Sequence, residues 1–190
     1  NVSGSMLATD VAPSRLERAK HKLNDLLAKR NGAATGLIVY SGTAHLVMPL
    51  TTDGRIIQEM VEGLVPEFMP AEGKNLQAAL TLADRMYEKA GRRGSVLVVT
   101  DDPETMQLQG TRPYQTLYVG TALPFGANSD CTLISVDETD VDRLLRRADR
   151  QLQTLLSEQQ GERWSDAGYY WVFILVLATL IPFRKGWVVG

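Results

Sequence analysis

Ser95-Val96-Leu97-Val98-Val99-Thr100-Asp101-Asp102 is the stretch whose reading decides the fold. A strand with one wet face alternates apolar and polar residues, whereas Ser95 to Thr100 runs without alternation, as expected of a strand covered on both faces in a parallel sheet. The run stops abruptly at two carboxylates. Asp101 therefore falls at the carboxyl end of a buried strand, which is where open α/β sheets bind their ligands.

Working outward, Asn75 can cap a helix that carries Leu76, Ala79, Leu80, Ala83, Met86 and Tyr87 on one stripe and ends at Gly91. Before it, Asp53 can cap a shorter helix with Ile56, Ile57, Met60, Val61 and Leu64. Gly36–Tyr40 and Ala44–Met48 are β-rich runs separated by Ser41-Gly42-Thr43, which predicts a hairpin. Ser14-Arg15-Leu16-Glu17 has the form of a capping box. It opens a helix with Leu16, Ala19, Leu23, Leu26 and Leu27 on the inner stripe and the Lys and Arg residues on the other, stopped by Asn31-Gly32.

Downstream, Thr116–Val119 and Thr132–Val136 are further strand candidates with a loop rich in turn residues between them. A last helix aligns Val141, Leu144, Leu145, Ala148, Leu152 and Leu155, and sets Arg143, Arg146, Arg147 and Arg150 on a face expected to be solvated. Strands alternating with helices predict a doubly wound, Rossmann-like α/β fold with a mostly parallel sheet.

Composition narrows the functions. A 190-residue chain with 44% hydrophobic residues supplies one ordinary core and little more. The net charge of -2 offers no basic footprint, which excludes nucleic acid as a partner. Cys131 is the single cysteine, so no intrachain disulfide forms, and its place before an apolar strand predicts a small buried residue.

The tail differs in kind. Tyr169 to Phe183 is uncharged and apolar, with Trp171 and Trp187 near its ends and Arg184-Lys185 after it. The run of roughly 15 residues spans about 22 Å as a helix, so crossing a hydrocarbon core of about 30 Å needs extension at either end. Aromatic ends and a basic flank favour a transmembrane helix at 169–185 over a buried C-terminal helix. That divides the chain into a domain at 1–160, a juxtamembrane linker at 161–168 and the span. Arg184 and Lys185 then lie on the cytoplasmic side of the inner membrane, the domain faces the periplasm or exterior, and membrane lipid becomes a neighbour.

Several separated stretches carry a family resemblance by their order: Asn1-Val2-Ser3-Gly4-Ser5 at the start, Gly36–Tyr40 followed by Pro49-Leu50-Thr51-Thr52-Asp53, Asp101 at the end of the buried strand, and Gly168-Tyr169-Tyr170-Trp171 in the tail. Together they resemble the von Willebrand factor A (VWA) family, and within it the bacterial aerotolerance membrane subgroup of the BatA/BatB type. The resemblance implies a non-enzymatic protein-interaction module. It also implies protein partners, among them other VWA and membrane proteins and a MoxR-type AAA+ ATPase system. Because the chain opens inside the first motif, the central first strand is expected to be truncated, lying upstream of Asn1.

The family's metal-ion-dependent adhesion site (MIDAS) joins an Asp-x-Ser-x-Ser loop, a threonine from a later loop and an aspartate at the end of the fourth strand. Ser3, Ser5 and Asp101 match that pattern. Two positions depart from it: Asn1 stands for the first aspartate, and Lys74, between Gly73 and Asn75-Leu76, stands for the threonine. The formal charge of the set falls from two negatives to zero. Hard divalent ions need oxygen ligands, and a dication about 4 Å from an ammonium is opposed by roughly 8 kcal/mol at an effective dielectric near 20. One reading is a metal-free site in which the Lys74 ammonium takes the ion's place beside Asp101, Ser3 and Ser5. The other keeps Mg²⁺ or another divalent cation, with Lys74 swung to solvent and Asp102, where the family has glycine, as a substitute carboxylate.

Two rival classes remain. A hydrolase using Ser3 or Ser5 would need a histidine base, and no Gly-x-Ser-x-Gly elbow is present. His21 reads as solvated and His45 as a strand residue, neither with companion metal ligands at useful spacing. A purely structural membrane component would keep the fold and use none of the loop residues.

Overall fold

The computed structural model describes residues 1–30, 32–102, 114–123, 131–135, 137 and 139–160, the last ten as backbone. The element order is α1 (Arg15–Lys29), β1 (Thr35–Tyr40), β2 (Ala44–Thr51), α2 (Gly54–Glu62), α3 (Leu76–Ala90), β3 (Val96–Thr100), β4 (Tyr114–Tyr118), β5 (Cys131–Leu133) and α4 (Thr139–Gln160), with short 3-10 turns at Gly4–Leu7 and Pro66–Phe68. One compact unit covers Asn1–Leu155 and holds everything described below. Among the described residues no helix is long and apolar enough to cross a membrane. The expected linker and span at 161–185 lie outside the described residues.

The predicted caps form. Ser14 Oγ accepts from the Glu17 amide at 3.2 Å, Asp53 Oδ1 from Arg55 at 3.0 Å and Asn75 Oδ1 from Ala78 at 3.1 Å. Each satisfies one of the amides that a helix start leaves open. Gly91 closes α3 in the left-handed conformation, φ 60°, a backbone region open to glycine at little cost.

β1 and β2 pair antiparallel through the predicted hairpin, while β3, β4 and β5 pair parallel in that order. The strands thus fall into a two-stranded and a three-stranded piece rather than one continuous ladder. The start of the chain joins them: the main-chain nitrogen of Asn1 donates to Val99 O and that of Val2 to Tyr40 O, both at 2.9 Å. Val99 is near the end of β3 and Tyr40 ends β1, so Asn1-Val2 sits between the carboxyl ends of the two pieces.

Helices cover both faces. Leu16, Ala19 and Leu26 of α1 and Val141 and Leu144 of α4 pack with Val2, Val39, Leu117, Val119 and Ile134, while Leu76, Ala79 and Leu80 of α3 pack with Tyr40 and Val98. Ile57 and Val61 of α2 close on Leu27. This is the layered α/β arrangement that the unalternating β3 run implied.

One expectation fails on α1. Periodicity places the cations on the outer face, yet Lys20 and Lys22 are buried. Lys22 Nζ reaches Asp140 Oδ1 at 2.9 Å, and it also donates to the Asp137 carbonyl. Lys20 Nζ bonds Glu17 at 2.8 Å and the Glu62 carbonyl at 3.1 Å. Buried ammonium groups are tolerated where their protons all find oxygen, and α4 and α2 bring that oxygen. On α4, Arg143, Arg146 and Arg150 are exposed as expected, and Arg147 reaches back to Thr132 Oγ1 at 3.1 Å. Cys131 is buried, and burial pushes its thiol pKa up. That environment suits a packing residue and opposes thiolate formation.

Candidate functional site

The parallel piece delivers Asp101 just past the end of β3, with its side chain 1% exposed. Asn1 faces it across the strand ends. Its Nδ2 donates to Asp101 Oδ1 at 2.9 Å and to Thr100 Oγ1 at 3.3 Å, and its Oδ1 accepts from the Ser3 amide at 2.9 Å. An amide can donate and accept at once, which a carboxylate cannot. Asn1 uses both functions to fold its own loop back and tie it to β3. Ser3, buried, and Ser5, exposed, then stand 3.0 Å apart, Oγ to Oγ.

Lys74 arrives from the other sheet piece. The loop before α3 is clamped to the β1–β2 turn: Gly42 N donates to Ala71 O at 3.0 Å, the Ser41 hydroxyl donates to the same carbonyl, and Asn75 N donates to Ser41 O at 2.6 Å. The backbones approach closely enough that a Cβ on Gly42 would lie 2.3 Å from the Glu72 carbonyl oxygen. Gly73 next to it takes φ 134°, a region closed to other residues without strain. Held this way, Lys74 places Nζ 3.1 Å from Asp101 Oδ1 while its side chain stays 33% exposed.

A further residue, which the motif does not announce, completes the cluster. Arg15 opens α1 and sends Nη1 to Asp101 Oδ2 at 2.9 Å. Its Nε and Nη2 grip both oxygens of Asp10 at 2.7 and 2.8 Å. In the sequence Arg15 lies inside the capping box, where it reads as a plain first-turn residue; nothing local announces a partner 86 positions away. Asp101 is thus enclosed by Lys74 and Asn1 on one oxygen and Arg15 on the other. Burial alone pushes its pKa up, but the Ser5 hydroxyl, the Lys74 ammonium and Arg15 outweigh burial and hold it below the ordinary carboxylate range.

Around this cluster, Asp102 is half-buried and its amide donates to Thr100 Oγ1 at 3.1 Å. The buried Tyr40 hydroxyl has no well-formed hydrogen bond among the described residues. Burial pushes its pKa up, Asp102 and Asp101 add to this, and the Thr100 hydroxyl beside it offsets part. His45 bonds Thr43 Oγ1 at 2.8 Å on the hairpin, and His21 is exposed on α1.

A loop after Asn1, a loop before α3 and a strand-end aspartate therefore converge as the motif order requires. Residues 1–104 match the model of the von Willebrand factor type A domain. The chain belongs to that family. No curated protein matches the VWA chain. Among solved structures, it is similar to an aerotolerance-related membrane protein from Bacteroides fragilis, at 23% identity and TM-score 0.60 over 80% of this chain and 95% of that one. It is also similar to BatB, a conserved hypothetical protein from Bacteroides thetaiotaomicron, at 20% identity and TM-score 0.64 over the same shares. At these identities the two structures speak for the shared VWA fold.

Proposed function

We propose that this VWA domain is a non-enzymatic, membrane-associated interaction module whose contact face is the loop cluster of Ser3, Ser5, Lys74, Asp101 and Arg15, working without a metal ion. The observation that carries the reading is the 3.1 Å approach of Lys74 Nζ to Asp101 Oδ1. A MIDAS uses that carboxylate to draw in a dication, and here both of its oxygens already accept from cationic side chains. The residues do not fit a divalent ion: at about 4 Å each ammonium-to-dication repulsion is roughly 8 kcal/mol at a dielectric near 20. Neutralisation by Lys74 and Arg15 leaves the remaining N–H groups of the partly exposed Lys74 ammonium as donors on the loop face. They suit a partner that presents a carboxylate directly, where a metal-loaded relative would bridge two carboxylates through its ion.

Kinship in fold with membrane proteins of the Bat group supports placing the module at a membrane, anchored by a helix at 169–185 with the domain on the periplasmic or exterior side. The resemblance to the aerotolerance subgroup implies other VWA and membrane proteins and a MoxR-type ATPase system as its partners. The engagement of His45 with Thr43 Oγ1 and of the Ser3 hydroxyl with Ser5 supports the non-enzymatic reading.

Calorimetry with Mg²⁺ tests the proposal. The unmodified protein should give no heat of binding, and Asn1→Asp combined with Lys74→Thr and Arg15→Met should give a saturable signal. Tight Mg²⁺ binding by the unmodified protein would overturn the metal-free reading.

A further inference from the structure

Three loops gather at the carboxyl ends of the strands, each anchored by a main-chain bond close to the Asp101 cluster. The first runs on from Asn1, and there Ala8 O accepts from Arg15 N at 2.9 Å. The second precedes α3, and Ala71 O accepts from Gly42 N at 3.0 Å just before Lys74. The third leaves β4, where Val119 N donates to Thr100 O at 2.8 Å, next to Asp101. Each loop exposes one large apolar side chain: Leu7 at 49%, Phe68 at 75% and Leu123 at 44%. In the chain Leu7 follows Met6 and Phe68 precedes Met69, and the two methionines pack in one core cluster, so Leu7 and Phe68 rise from common ground. Single exposed apolar residues are ordinary on a surface. Three on the loops that carry one charged cluster have the character of an interaction site.

We propose that Leu7, Phe68 and Leu123 form an apolar rim on the face where Lys74 opens, and that the partner is a protein segment presenting one carboxylate between apolar side chains. The inference rests on the reading of Lys74 as the group that meets a partner's carboxylate; it adds how many carboxylates the face takes and what flanks them. Number follows from the cations. Arg15 commits Nε and Nη2 to Asp10 and Nη1 to Asp101, which leaves Lys74, 33% exposed, as the cation of this cluster with protons to offer. Asp10, beside Arg15, and Asp102, beside Asp101, repel a second negative charge. The flanks follow from the rim. Apolar side chains of the partner cover Leu7, Phe68 and Leu123 and keep water from the ammonium–carboxylate pair, which strengthens it.

The test titrates the full chain with three end-blocked peptides and follows its backbone amide resonances. The peptides are Gly-Leu-Leu-Glu-Leu-Leu-Gly, the same with Gln at the centre, and Gly-Ser-Ser-Glu-Ser-Ser-Gly. The Leu-flanked Glu peptide should bind about tenfold tighter than the Ser-flanked one, as partial burial of apolar side chains allows. It should also shift the amides of Leu7, Phe68 and Leu123 together with that of Lys74. Phe68→Ser with Leu7→Ser should abolish the advantage, while Ile56→Ser, at an apolar position 40% exposed on α2, should keep it. Equal binding by the Leu- and Ser-flanked peptides would overturn the proposal. So would an advantage that survives the double substitution, shifts confined to β2 and α2, or no binding by any peptide. A preference for Glu over Gln, lost in Lys74→Met, reads the carboxylate separately. That preference without a flank effect sinks only the rim, and its absence sinks the reading on which the rim rests and the rim with it.

Discussion

Lys74 Nζ stands 3.1 Å from one oxygen of Asp101, and Arg15 Nη1 stands 2.9 Å from the other. The two cations come from loop and helix segments 59 positions apart, the difference of 74 and 15, and each holds half of one buried carboxylate. Removing either leaves the other in place. Lys74→Met and Arg15→Met should therefore each destabilise by only about 1 kcal/mol, in the range of partly exposed pairs. The double variant leaves Asp101 buried without a counter-charge, a loss of about 3–5 kcal/mol. Urea denaturation of the four proteins checks this, and strictly additive losses would mean that the two cations do not share the carboxylate.

The same carboxylate sets an acid limb. Folding lowers the pKa of Asp101 below its unfolded value, near 3.9 for an aspartate. Its contribution is accordingly complete above about pH 4 and is lost as pH falls through the folded value. Asp101→Asn should lower stability at neutral pH and flatten the decline below about pH 4. Asp10, Asp137 and Asp142 are also held low, chiefly by bonds from Arg15, Ser135 and Lys29 respectively. Asp10 and Asp142 pair with cations at the surface, where salt screens charge pairs. Measured at high salt, the remaining acid limb should belong mostly to Asp101 and to Asp137, which neutral hydroxyls hold low. An unchanged limb in Asp101→Asn would assign it elsewhere.

The junction of Gly42 with the loop before α3 predicts a third outcome. Gly42→Ala places a Cβ 2.3 Å from the Glu72 carbonyl oxygen, and backbone rather than a flexible side chain must give way. Overpacking of this kind costs about 1–3 kcal/mol. The loop that moves is the one that carries Lys74, so a double-mutant cycle in the Gly42→Ala background should show weaker coupling between Lys74 and Asp101. Coupling that survives intact would show that Lys74 finds Asp101 without the clamp.

How much of this was legible depends on range. The unalternating run at Ser95–Thr100, the three side-chain caps and the hairpin are local signals, and all appear where the residues place them. Asp101 at a strand end and Lys74 in a loop before a capped helix were legible too, because motif order fixes them. Arg15 was not, and neither was the Ser41–Ala71 clamp, since both depend on which distant segments meet. The buried lysines mislead for a related reason: periodicity sorts residues by polarity and cannot see that Asp140 will arrive opposite Lys22.

That pair supports the last prediction. Lys22 and Asp140 side chains are 3% and 1% exposed with Nζ 2.9 Å from Oδ1, and Asp140 also accepts from the amides of Ser135 at 2.9 Å and Val141 at 2.8 Å. One carboxylate thus closes the start of α4, fixes the end of the β5 segment and neutralises a cation from α1. Asp140→Ala strands the buried ammonium and opens two amides, so a loss of about 3–5 kcal/mol is expected. Replacing both partners by apolar residues, Lys22→Met with Asp140→Leu, removes the stranded charge but not the open amides. The double variant should recover part of the loss, and chemical denaturation compares the two. A double variant no more stable than Asp140→Ala would assign the whole effect to the amides of Ser135 and Val141 and none to the ion pair.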